Sequence, residues 1–413
     1  MDLSQDNLYQ VLCHAPAYLL CKFKSVSSEV DFAREPNFCR QQARNMLQQG
    51  EMHIFGFLDI AAPLGLDLYH LFDNGPSPGL PIQFLELFNR HWRILNSWKG
   101  LVVVEFERVE VTPPTPCLCN PVTGSWALLK SPMEEYDNPH ELQMHILIFP
   151  TDTHGNDYKL ICINGVDSRW GPPYVMKEYI PVENNWEVLE NNIEFEARLL
   201  DLDHVAVVND SLYMMSDNFD YGEEQVWPQS PLPYIVQYSP VEKNGKILPL
   251  PVEAVHNPFH GAYRVFKWGS RWTSKESLCL VRYIELTFTL WISEDGSPGS
   301  WDLIHRINVD DMGIHNALED EDEDEDDDNL FTKKPDNDPI RGFGIVNGDC
   351  LIFATRALVY GYYINGAYSW KFKVFGENTM GSYARFISYS STFRPVDLPQ
   401  TTLFSDVRAT LNG

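Results

Sequence analysis

Basic residues are scarce in this sequence. Lys+Arg number 31 against 58 for Asp+Glu, and the formal net charge is −27. Such an excess of negative charge repels nucleic acid phosphates and anionic lipid surfaces, whereas a basic protein segment remains electrostatically compatible. We therefore expect neither a nucleic-acid partner nor a membrane partner.

Targeting and membrane-spanning segments are missing as well. The first residues, MDLSQDNLYQ, lack the basic and apolar regions of a secretory signal. The apolar run SLCLVRYIELTFTLWI contains Arg282 and Glu285, which make it too polar, and it is too short to cross a bilayer. Together these absences favour a cytoplasmic or nuclear location.

The sequence also lacks paired cysteines and known catalytic motifs. The 8 cysteines form no paired C-x-x-C set, which is typical of small buried side chains in a reducing compartment.

H-E-x-x-H, a phosphate-binding G-x-x-x-x-G-K-[ST] loop and a G-x-S-x-G elbow do not occur. The histidines have no metal-ligand spacing, which favours satisfied core or surface roles for His140, His145, His204, His256 and His260. No cofactor, metal or catalytic residue is expected, and the chain is predicted not to be an enzyme.

Apolar and aromatic residues, by contrast, are abundant, and they recur in a pattern. The stretch CLCNPVTGSWALL reads as two apolar strands joined by a turn with Asn, Pro and Gly, followed by a Trp. Similar units have their marker residue at Trp126, Trp186, Ile247, Trp301 and Trp370, at intervals of 60, 61, 54 and 69 residues. A second strand pair precedes several units, as in VAVVNDSLYMM and FGIVNGDCLIF.

Four strands per repeated unit predict a mostly β protein, a β-propeller of about six four-stranded blades. An array of β-sandwiches is the competing architecture, but the internal period argues against it. The Trp markers are interpreted as rings that pack one sheet on the next, and not as ligand contacts. The strand EMHIFGFLDI is expected to help complete a further sheet.

The N-terminal segment differs from this β-rich body. Leu8, Val11 and Leu12 recur at helical spacing, and a second helical pattern follows the break at Pro16. These patterns predict a small helical module over residues 1–48, followed by the propeller over residues 49–413. A module of this size is marginal alone and needs a partner or the neighbouring domain.

The segment LSQDNLYQVLCHAPAYLLCKFKSVSSEVDFAREPNF resembles the F-box of plant F-box proteins. The resemblance is carried by Leu3-x-x-Asp6-x-Leu8, by the apolar pairs that follow, and by Phe23-Lys24-Ser25-Val26-Ser27. Downstream, NSWKGLVVVEF and CNPVTGSWALL resemble the opening signatures of the kelch-like, F-box-associated propeller of the same family. The two halves occur in the expected order and span nearly the whole chain.

This resemblance implies a substrate-recognition subunit of an SCF-type E3 ubiquitin ligase. The helical module would dock on a Skp-type adaptor of the cullin ligase complex, and the propeller would bind an unknown target protein. The adaptor-binding residues so implied are the apolar ones of the helical segment, namely Leu8, Val11, Leu12, Pro16, Leu19, Leu20, Phe23 and Val26. In the residue pattern alone, a binding face and a core face are indistinguishable.

Two alternatives stay open at this point. Ser4 and the stretch Ser28-Glu29-Val30 depart from the usual F-box, which favours a stand-alone interaction propeller with a degenerate F-box. A propeller glycoside hydrolase would need two facing carboxylates, which the sequence cannot place.

One segment lies outside the repeat. An unbroken acidic run from Glu319 to Asp328 predicts a disordered loop over residues 316–340. It is interpreted as a tolerated surface insertion or as an attraction for a basic segment of the target.

Overall fold

The computed structural model describes most of the chain, and two compact units divide it. The first comprises Met1–Ala197 and Arg385–Gly413, and the second comprises Arg198–Ala384. The structure describes residues 5–15, 17, 19–20, 35–48, 54–60, 67–70, 75–76, 92–106, 115–133, 142–151, 157–166, 174–189, 200–216, 233–255, 262–269, 276–293, 300–312, 340, 342–346, 348, 350–355, 358–364, 368–373, 384–390 and 392–403. The predicted acidic loop thus lies outside the described residues except for Ile340.

Helices are few and short. The α-helices are α1 (Gln5–Leu12), α2 (Pro36–Gln48) and α3 (Val252–Val255), and a 3-10 helix spans Asp310–Met312. Ala17, Leu19 and Leu20 are helical as well. No helix among the described residues has the length and apolar character needed to span a membrane.

The first unit contains three sheets. Its strands are β1 (Ile54–Ile60), β2 (Asp67–His70), β3 (Gly75–Pro76), β4 (Trp92–Trp98), β5 (Leu101–Phe106), β6 (Thr115–Asn120), β7 (Ser125–Leu128), β8 (Leu142–Pro150), β9 (Tyr158–Val166), β10 (Val175–Ile180) and β11 (Asn185–Val188). Sheet 1 consists of β1–β3 and a C-terminal strand, sheet 2 contains β4–β7, and sheet 3 contains β8–β11.

The second unit contains three further sheets. Its strands are β12 (Leu200–Val208), β13 (Ser211–Ser216), β14 (Tyr234–Ser239), β15 (Asn244–Pro249), β16 (Ala262–Trp268), β17 (Ser277–Ile284), β18 (Thr287–Ser293), β19 (Asp302–Asn308), β20 (Gly342–Val346), β21 (Cys350–Ala354), β22 (Leu358–Tyr363) and β23 (Tyr368–Lys373). Sheets 4, 5 and 6 each take four of these strands in chain order. The chain then returns to the first unit with β24 (Ala384–Ser390) and β25 (Thr402–Leu403).

Antiparallel four-stranded sheets of this kind are propeller blades, and the predicted mostly β, propeller-type fold is confirmed. The expected count of about six four-stranded blades is wrong, because only five described sheets have four strands. Sheet 2 has five, since β25 pairs with β7 through Thr402 and Leu403. EMHIFGFLDI does complete a further sheet, in which β1 lies between β2 and β24.

The predicted hairpins are present where their turns are described. Asn120 pairs with Ser125 across the first turn, Ile180 with Asn185 across the second, and Ser239 with Asn244 across the third. The Asn209-Asp210 step joins β12 to β13 with φ values of 45° and 59°, as expected of a two-residue hairpin turn.

Sheet 2 shows why the strands read as continuous apolar runs. Val102 and Val104 on β5 belong to one core cluster, whereas Leu101 and Val103 belong to another that also contains side chains of sheet 3. Side chains alternate between the two faces of a strand, so both faces of this sheet are buried. In sheet 5, Cys279 and Leu280 divide between two clusters in the same way.

Two of the marker residues, Trp186 and Trp301, lie between sheets, as interpreted, whereas the marker Ile247 is 46% exposed. In the first unit, Trp186 donates its indole N–H to the carbonyl of Lys130, just beyond β7, at 2.7 Å. In the second unit, Trp301 donates to the carbonyl of Pro249 at the end of β15, at 3.1 Å. In both cases the indole is hydrogen-bonded to the backbone at or just beyond the end of the preceding sheet, which indicates a packing role.

The N-terminal helices share a core with the β-sheets. Leu12 and Phe38 lie in one buried cluster with Val104 of β5, Ile387 of β24 and Phe393. Phe38 lies 5.2 Å from Tyr9 and 6.2 Å from Phe393 between ring centroids. The expectation of a small F-box module preceding the propeller therefore needs correction: no clear separate module is seen, because the described helices pack on the sheets.

This shared core predicts that Phe38→Ala destabilises the first unit. Removing a buried ring should lower the free energy of unfolding by about 3–5 kcal/mol, measured by urea denaturation. Val241→Ala is the control, because the Val241 side chain is exposed and its truncation leaves no cavity. An equally small change in both variants would contradict the packing of α2 on the sheets.

Candidate functional site

The predicted adaptor-binding residues divide into buried and exposed groups. Leu12 and Leu20 are buried in the helix–sheet cluster, and Leu8 packs against it while partly exposed. Leu19 is half-buried. Pro16, Phe23 and Val26 lie outside the described residues. The structure therefore brings Leu8, Leu12 and Leu20 together, but on the side of the helices that faces the sheets.

Val11 is the predicted residue that faces outward. Its side chain is 60% exposed, and Asn7, Gln10 and His14 are exposed near it. Residues three and four positions apart share one face of a helix, so Asn7, Gln10 and Val11 form the outer face of α1. His14 lies in the turn after α1, where its ring contacts the Asn45 side chain at 3.3 Å. The outer face of α1 is the part of the predicted site that a partner can reach in the folded chain.

Polar side chains of α2 fix the position of α1. Gln42 donates to the carbonyl of Ala15 at 3.0 Å, and Asn45 donates to the carbonyl of Cys13 at 3.1 Å. Both side chains are buried, so these bonds satisfy the carbonyls of the turn that follows α1. The outer face of α1 is held on a fixed support.

Cysteines of this region are packing residues, as predicted for them. Cys13, Cys39, Cys117 and Cys119 all belong to the helix–sheet cluster and are free thiols. Burial raises the pKa of the Cys39 thiol to about 11, so the thiol stays protonated and inert at neutral pH.

A charged group in the second unit was not foreseen from the sequence. His204 on β12 lies 2.8 Å from Asp201 between Nδ1 and Oδ2, and its ring is buried. Arg264 on β16 contributes positive charge to Asp201, donates to the carbonyl of Phe343 at 2.8 Å, and stacks over the Phe343 ring at 4.5 Å. The group links strands of sheets 4, 5 and 6.

Burial alone would raise the pKa of the Asp201 carboxyl. The charge and hydrogen bond of His204, the charge of Arg264 and the backbone N–H of Asp203 outweigh it and hold that pKa below its ordinary value. An ionised carboxylate bound in this way acts as a structural charge partner. Among the described residues, no group of three or more His, Cys, Asp or Glu side chains could hold a metal ion.

Comparison with known proteins identifies no family for this chain. No model of a protein family and no curated protein matches the chain. Among solved structures, it is similar to apo AztD from Citrobacter koseri, with 9% identity, a TM-score of 0.35, and coverage of 82% of this chain and 99% of AztD.

Two enzymes show weaker likeness. Porphyromonas gingivalis dipeptidyl peptidase 4 has 9% identity and a TM-score of 0.31, with coverage of 75% of this chain and 44% of the peptidase. The exo-inulinase from Aspergillus awamori has 12% identity and a TM-score of 0.25, with coverage of 82% and 77%. At these scores, neither activity carries over to this chain.

Asp201→Asn is predicted to destabilise the protein in a pH-dependent way. Loss of a hydrogen bond to a charged group should cost about 1.5–3 kcal/mol near pH 6. Because the folded-state pKa of Asp201 is lowered, its stabilisation is complete above the unfolded-state pKa of about 3.9 and is lost as the pH falls through the folded-state value.

The difference in unfolding free energy between wild type and variant should therefore stay constant from about pH 6 to about pH 5 and shrink as the pH falls below about 4, measured by urea denaturation. Asp302→Asn is the matched control, because Asp302 is exposed and no charge partner is described for it. A difference that stays constant with pH would contradict the assigned ion pair.

Proposed function

We propose that this chain is a non-catalytic substrate receptor of an SCF-type ubiquitin ligase. In this proposal, the N-terminal helices dock a Skp-type adaptor, and the blade-type sheets present a surface to the target protein. The F-box resemblance motivates the proposal. The observation that carries it is the outer face of α1, where Val11 is 60% exposed on a helix whose other side is fixed in a core.

An exposed apolar side chain on a rigid helix suits recognition by a helical partner. Helix-in-groove contacts use apolar anchors along one face, and a preorganised helix loses little conformational entropy on binding. Val11 supplies such an anchor, while the exposed Asn7 and Gln10 lie beside it on the same face. Docking on this face leaves Leu12 and Leu20 undisturbed in the core.

A second function is favoured by the burial of those two residues. Leu12 and Leu20, which the resemblance implies as adaptor contacts, are committed to the chain's own core. A protein whose F-box-like helices serve only as a structural cover would act as an interaction propeller independent of ubiquitin.

Val11→Asp distinguishes the two functions. A charge at the anchor position should weaken binding to a purified Skp-type adaptor by about tenfold or more, measured by isothermal titration calorimetry. Thermal unfolding should be unchanged, because the substituted side chain faces solvent. This variant is a sharper test than deletion of residues 1–48, which would also remove core side chains.

Val188→Asp is the matched control, since Val188 is 57% exposed and lies on β11, away from α1 in sequence. It should bind the adaptor like the wild type. Absence of binding by the folded wild-type protein would reject the ligase-receptor proposal and favour the independent interaction protein.

A further inference from the structure

Three hairpin turns of the chain have the same local structure. Each follows a strand with Pro-Val, at Pro121-Val122, Pro181-Val182 and Pro240-Val241, and each has a left-handed residue two positions after the valine. Those residues are Gly124, Asn184 and Lys243, with φ values of 68°, 48° and 53°. The three valines thus occupy equivalent positions.

The three equivalent valines differ greatly in the exposed fraction of their side chains. Val122 is 7% exposed and belongs to the cluster that contains Leu12, Ala17 and Phe38 of the helical segment. Val182 is 89% exposed and Val241 is 71% exposed. In the first turn, the valine lies in a buried cluster that the chain's own N-terminal helices share, whereas the described residues leave the other two open.

The second turn is held rigidly. The Asn184 side-chain oxygen accepts hydrogen bonds from the backbone N–H of Lys130 at 3.2 Å and from the hydroxyl of Tyr179 at 2.7 Å. The N–H of Glu183 donates to the carbonyl of Ile180 at 3.2 Å. Val182 is therefore presented on a preorganised turn, which lowers the entropy cost of binding a partner.

Charge favours the second turn over the third as a docking point for a basic partner. Glu183 and Glu187 are exposed on the β10–β11 hairpin, and Glu178 pairs across the strands with Glu187. Glu178 is neutralised by Lys159 at 3.0 Å, and Lys130 donates to Asn185 at 2.9 Å. The third turn carries Glu242 together with Lys243 and Lys246, all exposed, so its two positive charges oppose binding of a cation more than those of the second turn.

We infer that the β10–β11 hairpin, with Val182 as its apolar anchor, docks an amphipathic helix of the target protein that bears basic residues beside its apolar stripe. The helical form of the partner follows from the first turn, where the equivalent valine shares a buried cluster with the N-terminal helices. The basic residues follow from Glu183 and Glu187. The inference deepens the proposed function, on which it rests for the presence of a protein target.

A synthetic helix provides the probe. A fluorescein-labelled peptide of about 18 residues, with Leu and Lys at amphipathic spacing, is titrated with the full chain at about 0.15 M salt, and binding is followed by fluorescence anisotropy. The wild-type protein should bind it, and Val182→Asp should weaken binding by about tenfold or more. The substitution adds negative charge, so simple attraction of a cationic peptide would instead be unchanged or stronger.

Val241→Asp is the matched control, with the same substitution at the equivalent position of another turn and the same added charge. It should bind the peptide like the wild type. Equal affinities for all three proteins, or no binding by the wild type, would overturn the inference. Sedimentation that shows a dimer abolished by Val182→Asp would also overturn it, because the occupant would then be a second copy of the chain.

Adaptor binding separates this inference from the proposed function. Val182→Asp should bind a Skp-type adaptor with wild-type affinity. Adaptor binding without peptide discrimination would reject the docking hairpin alone, whereas peptide discrimination without adaptor binding would reject the ligase receptor and keep the docking hairpin.

Discussion

Stacking of sheets that are apolar on both faces is the constraint from which the rest of the structure follows. Val102 and Val103 of β5 point into different clusters, so sheet 2 needs cover on each side. Sheet 3 supplies the cover on one face. On the other face, the cover comes from the N-terminal helices with β24 and the segment around Phe393. The helices therefore complete a core, and the sides that carry Leu12, Leu20 and Phe38 are not free for a partner.

Hydrogen bonds of two buried amide side chains, Asn120 and Gln42, link the first hairpin turn, α2 and the segment around Phe393. Asn120 donates to the carbonyls of Thr392 and Arg394 at 3.0 and 2.6 Å, and accepts from the N–H of Val122 at 2.8 Å. Gln42 of α2 accepts from the N–H of Phe393 at 3.1 Å. Buried amides bonded in this way fix one arrangement, because any loosening leaves polar groups unsatisfied. Contacts between residues far apart in the sequence thus determine that the first hairpin turn is buried.

Residue types in the sequence predict some of the hairpin turns but not others. The Asn209-Asp210 turn was visible because such residues tolerate positive φ, but Glu285 and Leu286 form a similar turn, with φ values of 44° and 59°, in a run without turn residues. Pairing across the β17–β18 strands imposes it. The Asp201–His204 contact was equally hidden, since strand alternation puts residues three apart on opposite faces. An irregularity in the register between Asp201 and Ala206 accounts for it.

Energetics limit how the N-terminal helices can take part in binding. Burial of a Leu or Phe side chain contributes roughly 1.5–3 kcal/mol, so release of Leu12, Leu20 and Phe38 together would cost on the order of 5–9 kcal/mol. That cost equals several factors of ten in affinity for each partner that required it. A partner that binds the outer face of α1 avoids it entirely. The same argument applies at the second hairpin turn, where Val182 is already exposed and no core side chain has to be released on binding.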